Sequence, residues 1–173
     1  MTDVRRRLVA WMYSDRFPTW SVPDSTVEEL RTALGPGWEV EVIREPTFAG
    51  GDGSRLIPDA VKRAAADAEI FFGFGIAREL FLAAERLRWV HSAAAGARAS
   101  LFSEMRDSGV VLTNSAGIYA EPLAEWAMAA VLYFARGFDL AVRGKLDRRW
   151  PYEEMAAFGH PQREAAGGTI GIV

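Results

Sequence analysis

The sequence predicts an α/β protein built on a doubly wound parallel sheet, and three observations lead there. Short apolar runs rich in Val, Ile, Phe and Trp alternate with helical patterns five times before residue 114. The strands recur at a spacing of roughly 20–30 residues, the rhythm of βαβ units. Several of the runs end in small residues, as at Gly73–Ile76, Ser92–Arg98 and Asn114–Tyr119. In open parallel sheets such carboxyl-end loops are where ligands sit.

Taken in order, Leu8–Tyr13 is the first strand, bounded by charge on both sides. A turn region over Asp15–Ser21 holds Pro18, and Pro23–Asp24–Ser25 introduces a helix over Thr26–Leu34 with Glu28 and Glu29 in its first turn. Gly35–Pro36–Gly37 ends it. Trp38–Ile43 alternates apolar and acidic residues with period two, the mark of a half-buried strand. Glu45–Ser54 is a Gly-rich loop that lacks the Lys–Ser/Thr ending of a phosphate cradle and reads as a surface connection. A helix over Ile57–Ala66, a strand over Ala68–Phe72, a helix over Ala77–Arg86 and a strand over Leu87–His91 follow. After the loop Ser92–Arg98 come a helix over Ala99–Ser108 and a fifth strand over Val110–Thr113.

The rhythm changes after Asn114. Glu121–Pro122 starts a helix with proline in the first turn and acids near its positive end. Leu123, Ala127, Ala130, Val131, Phe134, Phe138 and Val142 form an apolar stripe at helical spacing. A continuous helix of about 25 residues would reach ~37 Å, long enough to cross from one domain to another. The stripe is expected to pack against a neighbouring domain. Lys145–Ala166 reads as an irregular connection, and Gly168–Val173 as the opening of a buried strand. In a dinucleotide-binding unit such a strand runs into a Gly-rich turn and a helix N-terminus.

Bulk properties narrow the function. A net charge of −3 leaves no electrostatic footprint for nucleic acid or an anionic membrane. With no cysteine and two histidines, disulfides, thiol nucleophiles and a transition-metal site are not expected. The apolar run over Ala127–Ala135 is far shorter than a membrane span of about 20 residues. Cytoplasmic placement is the expectation.

Three stretches carry a family likeness. Arg88–Gly96 (RWVHSAAAG), Val111–Glu125 (VLTNSAGIYAEPLAE) and Gly168–Val173 (GTIGIV) together resemble the D-isomer-specific 2-hydroxyacid dehydrogenases, in matching order and spacing. The likeness runs over nearly the whole chain. It implies a flavodoxin-like five-stranded substrate domain over 1–118, a long interdomain helix over 119–146, and over 147–173 a connection and the first strand of a truncated Rossmann domain. The implied parent transfers hydride between nicotinamide, from NAD or NADP, and C2 of a small 2-hydroxy or 2-oxo acid. In such enzymes the catalytic Arg, Glu and His lie in or beyond the Rossmann domain, so none is expected here. The chain alone is expected to be inactive and to bind no cofactor tightly. The implied partners are the missing Rossmann domain and a second copy in a homodimer.

The same likeness places Phe74, Gly75, Ala95, Gly96 and Tyr119 at the substrate, with the amides around Ala95 and Gly96 receiving its carboxylate. Successive N–H groups in a small-residue loop form such an anion-binding concavity. Ala120 and Leu123 are the implied neighbours of the nicotinamide. One departure is visible: many relatives have Gly-x-Asp where this chain has Gly96–Ala97–Arg98. Other polar residues have plainer readings. His91 reads as a structural histidine, His160 as a surface residue, Ser92 as a serine without a base, and Arg5–Arg7 as a solvated run. A stand-alone flavodoxin-like domain that binds a small anion or serves regulation is the competing expectation.

Overall fold

The computed structural model describes residues 6–47, 57–157 and 163–171. Five parallel strands, β1 (Arg6–Trp11), β2 (Trp38–Val42), β3 (Ile70–Gly73), β4 (Trp89–Ser92) and β5 (Val111–Asn114), form one sheet in the order β2-β1-β3-β4-β5. This is the flavodoxin-like order, with the switch point between β1 and β3. Val9 sits opposite Phe71, Phe71 opposite Val90, and Val90 opposite Leu112. Helices α1 (Asp24–Leu34), α2 (Asp59–Ala66), α3 (Arg78–Ala83) and α4 (Ser103–Asp107) connect the strands.

The alternation of side chains along each strand divides the core into two layers. On one face Val9, Phe71 and Val90 meet Val61 and Ala65 of α2, Leu80 of α3 and Met105 of α4. On the other, Leu8, Ala10, Val40 and Ile70 meet Val27 of α1. Phe71 and Val9 are fully buried. The central strands can therefore be continuously apolar, as parallel sheets covered on both faces require.

Four expectations from the sequence change in detail. The helix expected over Ala99–Ser108 is a 3-10 turn over Arg98–Ser100 followed by the short α4. A second 3-10 turn, Pro18–Trp20, stands inside the first turn region. The long helix is two helices, α5 (Ala120–Ala135) and α6 (Phe138–Leu146). Gly137 between them has φ of +69°, a left-handed conformation that ends one helix and caps the next. A helix the sequence did not predict, α7 (Tyr152–Ala156), lies inside the expected irregular connection and is held by Arg149 to Glu154 at 2.5 and 3.2 Å.

By contacts the chain divides into two compact units, Met1–Ile118 and Tyr119–Val173. The sheet and α1–α4 belong to the first and α5–α7 to the second. In α5 no residue is buried, and Leu123, Trp126 and Phe134 are 63, 73 and 65% exposed. Gly168–Gly171 form no strand among the described residues, since a strand exists only through a paired neighbour. The rest of that expected strand, Ile172 and Val173, lies outside the described residues, as do His160, Arg5 and most of the Gly-rich loop at residues 48–54.

Arg6 and Arg7 are not merely solvated. Arg7 pairs with Glu39 at 3.2 Å, and Arg6 pairs with Glu69 at 3.0 Å while lying 4.0 Å over the Trp38 ring. Glu69, with only 5% of its side chain exposed, also pairs with Arg86 at 3.1 Å and lies 3.9 Å from Arg88. A carboxylate this deep is tolerated because cations and hydrogen bonds replace its water.

Candidate functional site

At the carboxyl edge of the sheet, β3 and β4 release two loops side by side. Gly73 and Ser92 are register partners, and the Ala93 N–H donates to the Gly73 carbonyl at 2.7 Å. This bond sets the start of Ala93–Gly96 against the start of Phe74–Ile76.

The Ala93–Gly96 loop is held from three sides. The Ser92 hydroxyl accepts from the Ala94 N–H at 3.3 Å, and the Asn114 amide donates to the Ala95 carbonyl at 2.7 Å. The Ser115 N–H donates to the Ala94 carbonyl at 3.2 Å, while its hydroxyl donates to the Ser92 carbonyl at 3.2 Å. Loop carbonyls are thus consumed by β5 and the residue after it. Among the described residues no protein acceptor takes the Ala95 or Gly96 N–H. Two adjacent donors left over in a pinned loop are suited to an anion.

The neighbouring loop is fixed differently. Gly75 has φ of +106°, and a Cβ there would meet the Ser100 hydroxyl at 2.7 Å. Only glycine fits both the dihedral and the space. That hydroxyl, fully buried, accepts from the Ile76 N–H at 3.0 Å. Close by, Arg78 of α3 and Glu104 of α4 are hydrogen-bonded, through Nε at 2.8 Å and through a second, shorter contact. The guanidinium, helped by a bond from the backbone N–H of Glu104 itself, lowers the Glu104 carboxyl to about 2 from an ordinary 4.5.

Phe74 does not stand alone. Its ring centroid is 6.0 Å from that of Trp20, edge-on, and Trp20 is 5.1 Å from Phe17. Both partners come from the loop after β1. The Ser14 hydroxyl braces that loop by accepting from the N–H groups of Phe17 at 2.9 Å and Arg16 at 3.3 Å.

Of the residues expected at a substrate, the structure gathers Phe74, Gly75, Ala95 and Gly96 on this edge. Tyr119, Ala120 and Leu123 belong to the second unit. There Tyr119 caps α5, Ala120 opens it, and the Tyr119 carbonyl accepts the Leu123 N–H at 3.0 Å. Tyr119 is 53% exposed. Sequence reasoning missed Phe17, Trp20 and Ser100, and named Asn114 and Ser115 only as part of a ligand-side loop and not as the ties of Ala93–Gly96. The aromatic pair had a signal, two large rings flanking Pro18 in a short loop; Ser100 had none, because its partner lies 24 residues away.

His91 pairs through Nδ1 with the Thr113 hydroxyl at 2.8 Å, and Trp89 donates its indole N–H to the same oxygen at 2.8 Å. No group of three His, Cys, Asp or Glu suited to a metal occurs among the described residues. Nor is any described helix long and apolar enough to cross a membrane.

A dinucleotide needs a strand, a Gly-rich turn and a helix N-terminus in succession. Among the described residues, Gly167–Gly171 supply neither the strand nor the helix: Gly167 has φ of +74° and the Gly168 N–H turns back to the Ala165 carbonyl at 3.1 Å. The described residues therefore do not fit NAD.

No family model matches the chain, and no curated protein does. Solved structures do match, several 2-hydroxyacid dehydrogenases among them. A D-isomer specific 2-hydroxyacid dehydrogenase family protein from Aeromonas salmonicida aligns at 19% identity and TM-score 0.56, over 84% of this chain and 41% of its own. D-Lactate dehydrogenase from Aquifex aeolicus, solved with NAD and lactic acid, aligns at 15% identity and TM-score 0.57, over 84% and 38%. An NADPH-dependent glyoxylate/hydroxypyruvate reductase from Sinorhizobium meliloti, solved with citrate, aligns at 19% and 0.57, over 96% and 45%. At these identities the likeness is one of fold. The chain spans less than half the length of each of the three.

Proposed function

We propose that the first unit is the substrate-holding domain of an oxidoreductase that moves hydride between a nicotinamide cofactor and C2 of a 2-hydroxy or 2-oxo acid. The observation that carries this reading is the Ala93–Gly96 loop, whose carbonyls are tied to Asn114 and Ser115 while the Ala95 and Gly96 N–H groups find no protein acceptor among the described residues. The solved structures of the same fold, one of them holding NAD and lactic acid, support it.

In this reading the chain positions rather than reacts. The two amides hold the carboxylate, and Gly75 brings main chain close to the substrate. The proton-transferring residues and the hydride donor come from outside the described residues, so the chain by itself turns over no substrate. Tyr119 is proposed as a further substrate contact, and Ala120 and Leu123 as residues that would neighbour a bound nicotinamide. The test is direct. Purified chain is mixed with NADH or NADPH and pyruvate, and absorbance at the nicotinamide band is followed while backbone amides are monitored by NMR. The expected result is no loss of reduced cofactor together with saturable shifts of the Ala95 and Gly96 amides by the acid. Turnover would overturn the positioning role, and unmoved amides would overturn the assignment of the loop.

A further inference from the structure

Resting on that reading, we infer that Phe17 and Trp20 set the substrate class: a 2-oxo or 2-hydroxy acid whose C3 carries a bulky apolar, preferably aromatic, group. Three rings, Phe17, Trp20 and Phe74, are joined by centroid distances of 5.1 and 6.0 Å. Phe74 directly follows Gly73, whose carbonyl accepts the N–H of Ala93 at 2.7 Å. The aromatic wall therefore begins one residue from the bond that anchors the amide loop.

The wall is built in advance. Pro18 opens the 3-10 turn that carries Trp20, the Trp20 N–H closes on the Phe17 carbonyl at 2.9 Å, and Ser14 fixes the entry to the loop. Yet the rings are not consumed by the core. Phe17 and Phe74 are half-buried and Trp20 is 38% exposed, outside both buried clusters of the sheet. The loops after β1 and β3 together hold three large rings partly in solvent, next to the loop whose Ala95 and Gly96 N–H groups have no acceptor among the described residues, so that an apolar surface and an anion site are presented together. An acid with only a methyl or hydrogen beyond its carbonyl reaches the amides and leaves the rings wet. An arylalkyl acid covers them. Aromatic contacts of the edge-to-face kind, added to the apolar area removed from water, correspond to about a tenfold gain in affinity.

The experiment titrates the full chain with phenylpyruvate and, separately, pyruvate, following the Gly96 amide and the Trp20 indole N–H, the latter assigned from Trp20→Phe. The expected result is that both acids move the Gly96 amide, with phenylpyruvate half-saturating at a concentration about tenfold lower and alone shifting the Trp20 indole. Trp20→Ala or Phe17→Ala removes the tenfold preference and leaves the pyruvate midpoint unchanged, whereas Trp20→Phe retains most of it. Unchanged chemical shifts in the β3 and β4 core amides establish that the variants are folded. Equal midpoints for the two acids, or a preference that survives Trp20→Ala, overturn the inference while leaving the amide loop as the carboxylate site. A Gly96 amide that responds to neither acid overturns both.

Discussion

Ser100 shows how one hydroxyl can govern a loop. It is buried, it accepts the Ile76 N–H, and it fills the space that a Cβ at Gly75 would need. Ser100→Ala leaves a buried N–H without an acceptor, which costs about 1–3 kcal/mol. Urea denaturation should report that loss, and the Gly75 and Ile76 amides should exchange faster with solvent than in the parent. At this scale the sequence was only partly legible. The small residues of Ala93–Gly96 announce a loop open to a ligand, because glycine and alanine leave the main chain accessible. The residues that pin it were hidden: Asn114 and Ser115 reach back 19 and 23 residues to Ala95 and Ser92. Hydrogen bonds of that span follow from strand order, which no local pattern encodes.

Among the elements, α3 and α4 are short, six and five residues, and depend on side-chain ties more than on their own length. The Arg78–Glu104 pair is one such tie, and its pH dependence has a definite sign. Because the Glu104 pKa falls from 4.5 to about 2 on folding, its contribution is fully present above about pH 4.5 and fades as pH drops through about 2. The difference in unfolding free energy between parent and Glu104→Gln should therefore be flat from pH 7 to about 5 and shrink below that. Denaturant melts across the pH range measure it; a difference that grows towards acid would contradict the assignment. The break at Gly137 teaches a related lesson. The apolar stripe runs through it with unbroken helical period, so periodicity predicted one helix. Backbone freedom at a single glycine overrode that pattern, as φ of +69° is open to glycine and strained for other residues.

For the molecule as a whole, the fold was largely visible in the sequence. Strand and helix alternate in a way that admits only right-handed parallel crossovers, and the apolar runs are long enough for strands covered on both faces. Phe71 sits at the centre of the result, with no exposed surface. Phe71→Ala should cost about 3–5 kcal/mol, a large part of the stability of a domain this size, and calorimetry should show a strongly lowered Tm or no cooperative transition. Less legible was where the fold ends its regularity. After Asn114 the same cues, an apolar helix and a Gly-rich apolar run, yielded two helices and no described strand at Gly168–Gly171. Strands are products of pairing, and pairing is not a local property.

The strand order also has a consequence in time. β1 lies between β2 and β3 and takes Ile70, Phe71 and Phe72 as partners of Leu8, Val9 and Ala10. During synthesis its second neighbour does not exist until more than sixty further residues have been added. At ribosomal rates of about 5–20 residues per second, Leu-Val-Ala-Trp waits on the order of several seconds with one side unpaired. The nascent chain should thus be most prone to chaperone capture while β3 is still inside the exit tunnel, and should lose that tendency once Gly73 emerges.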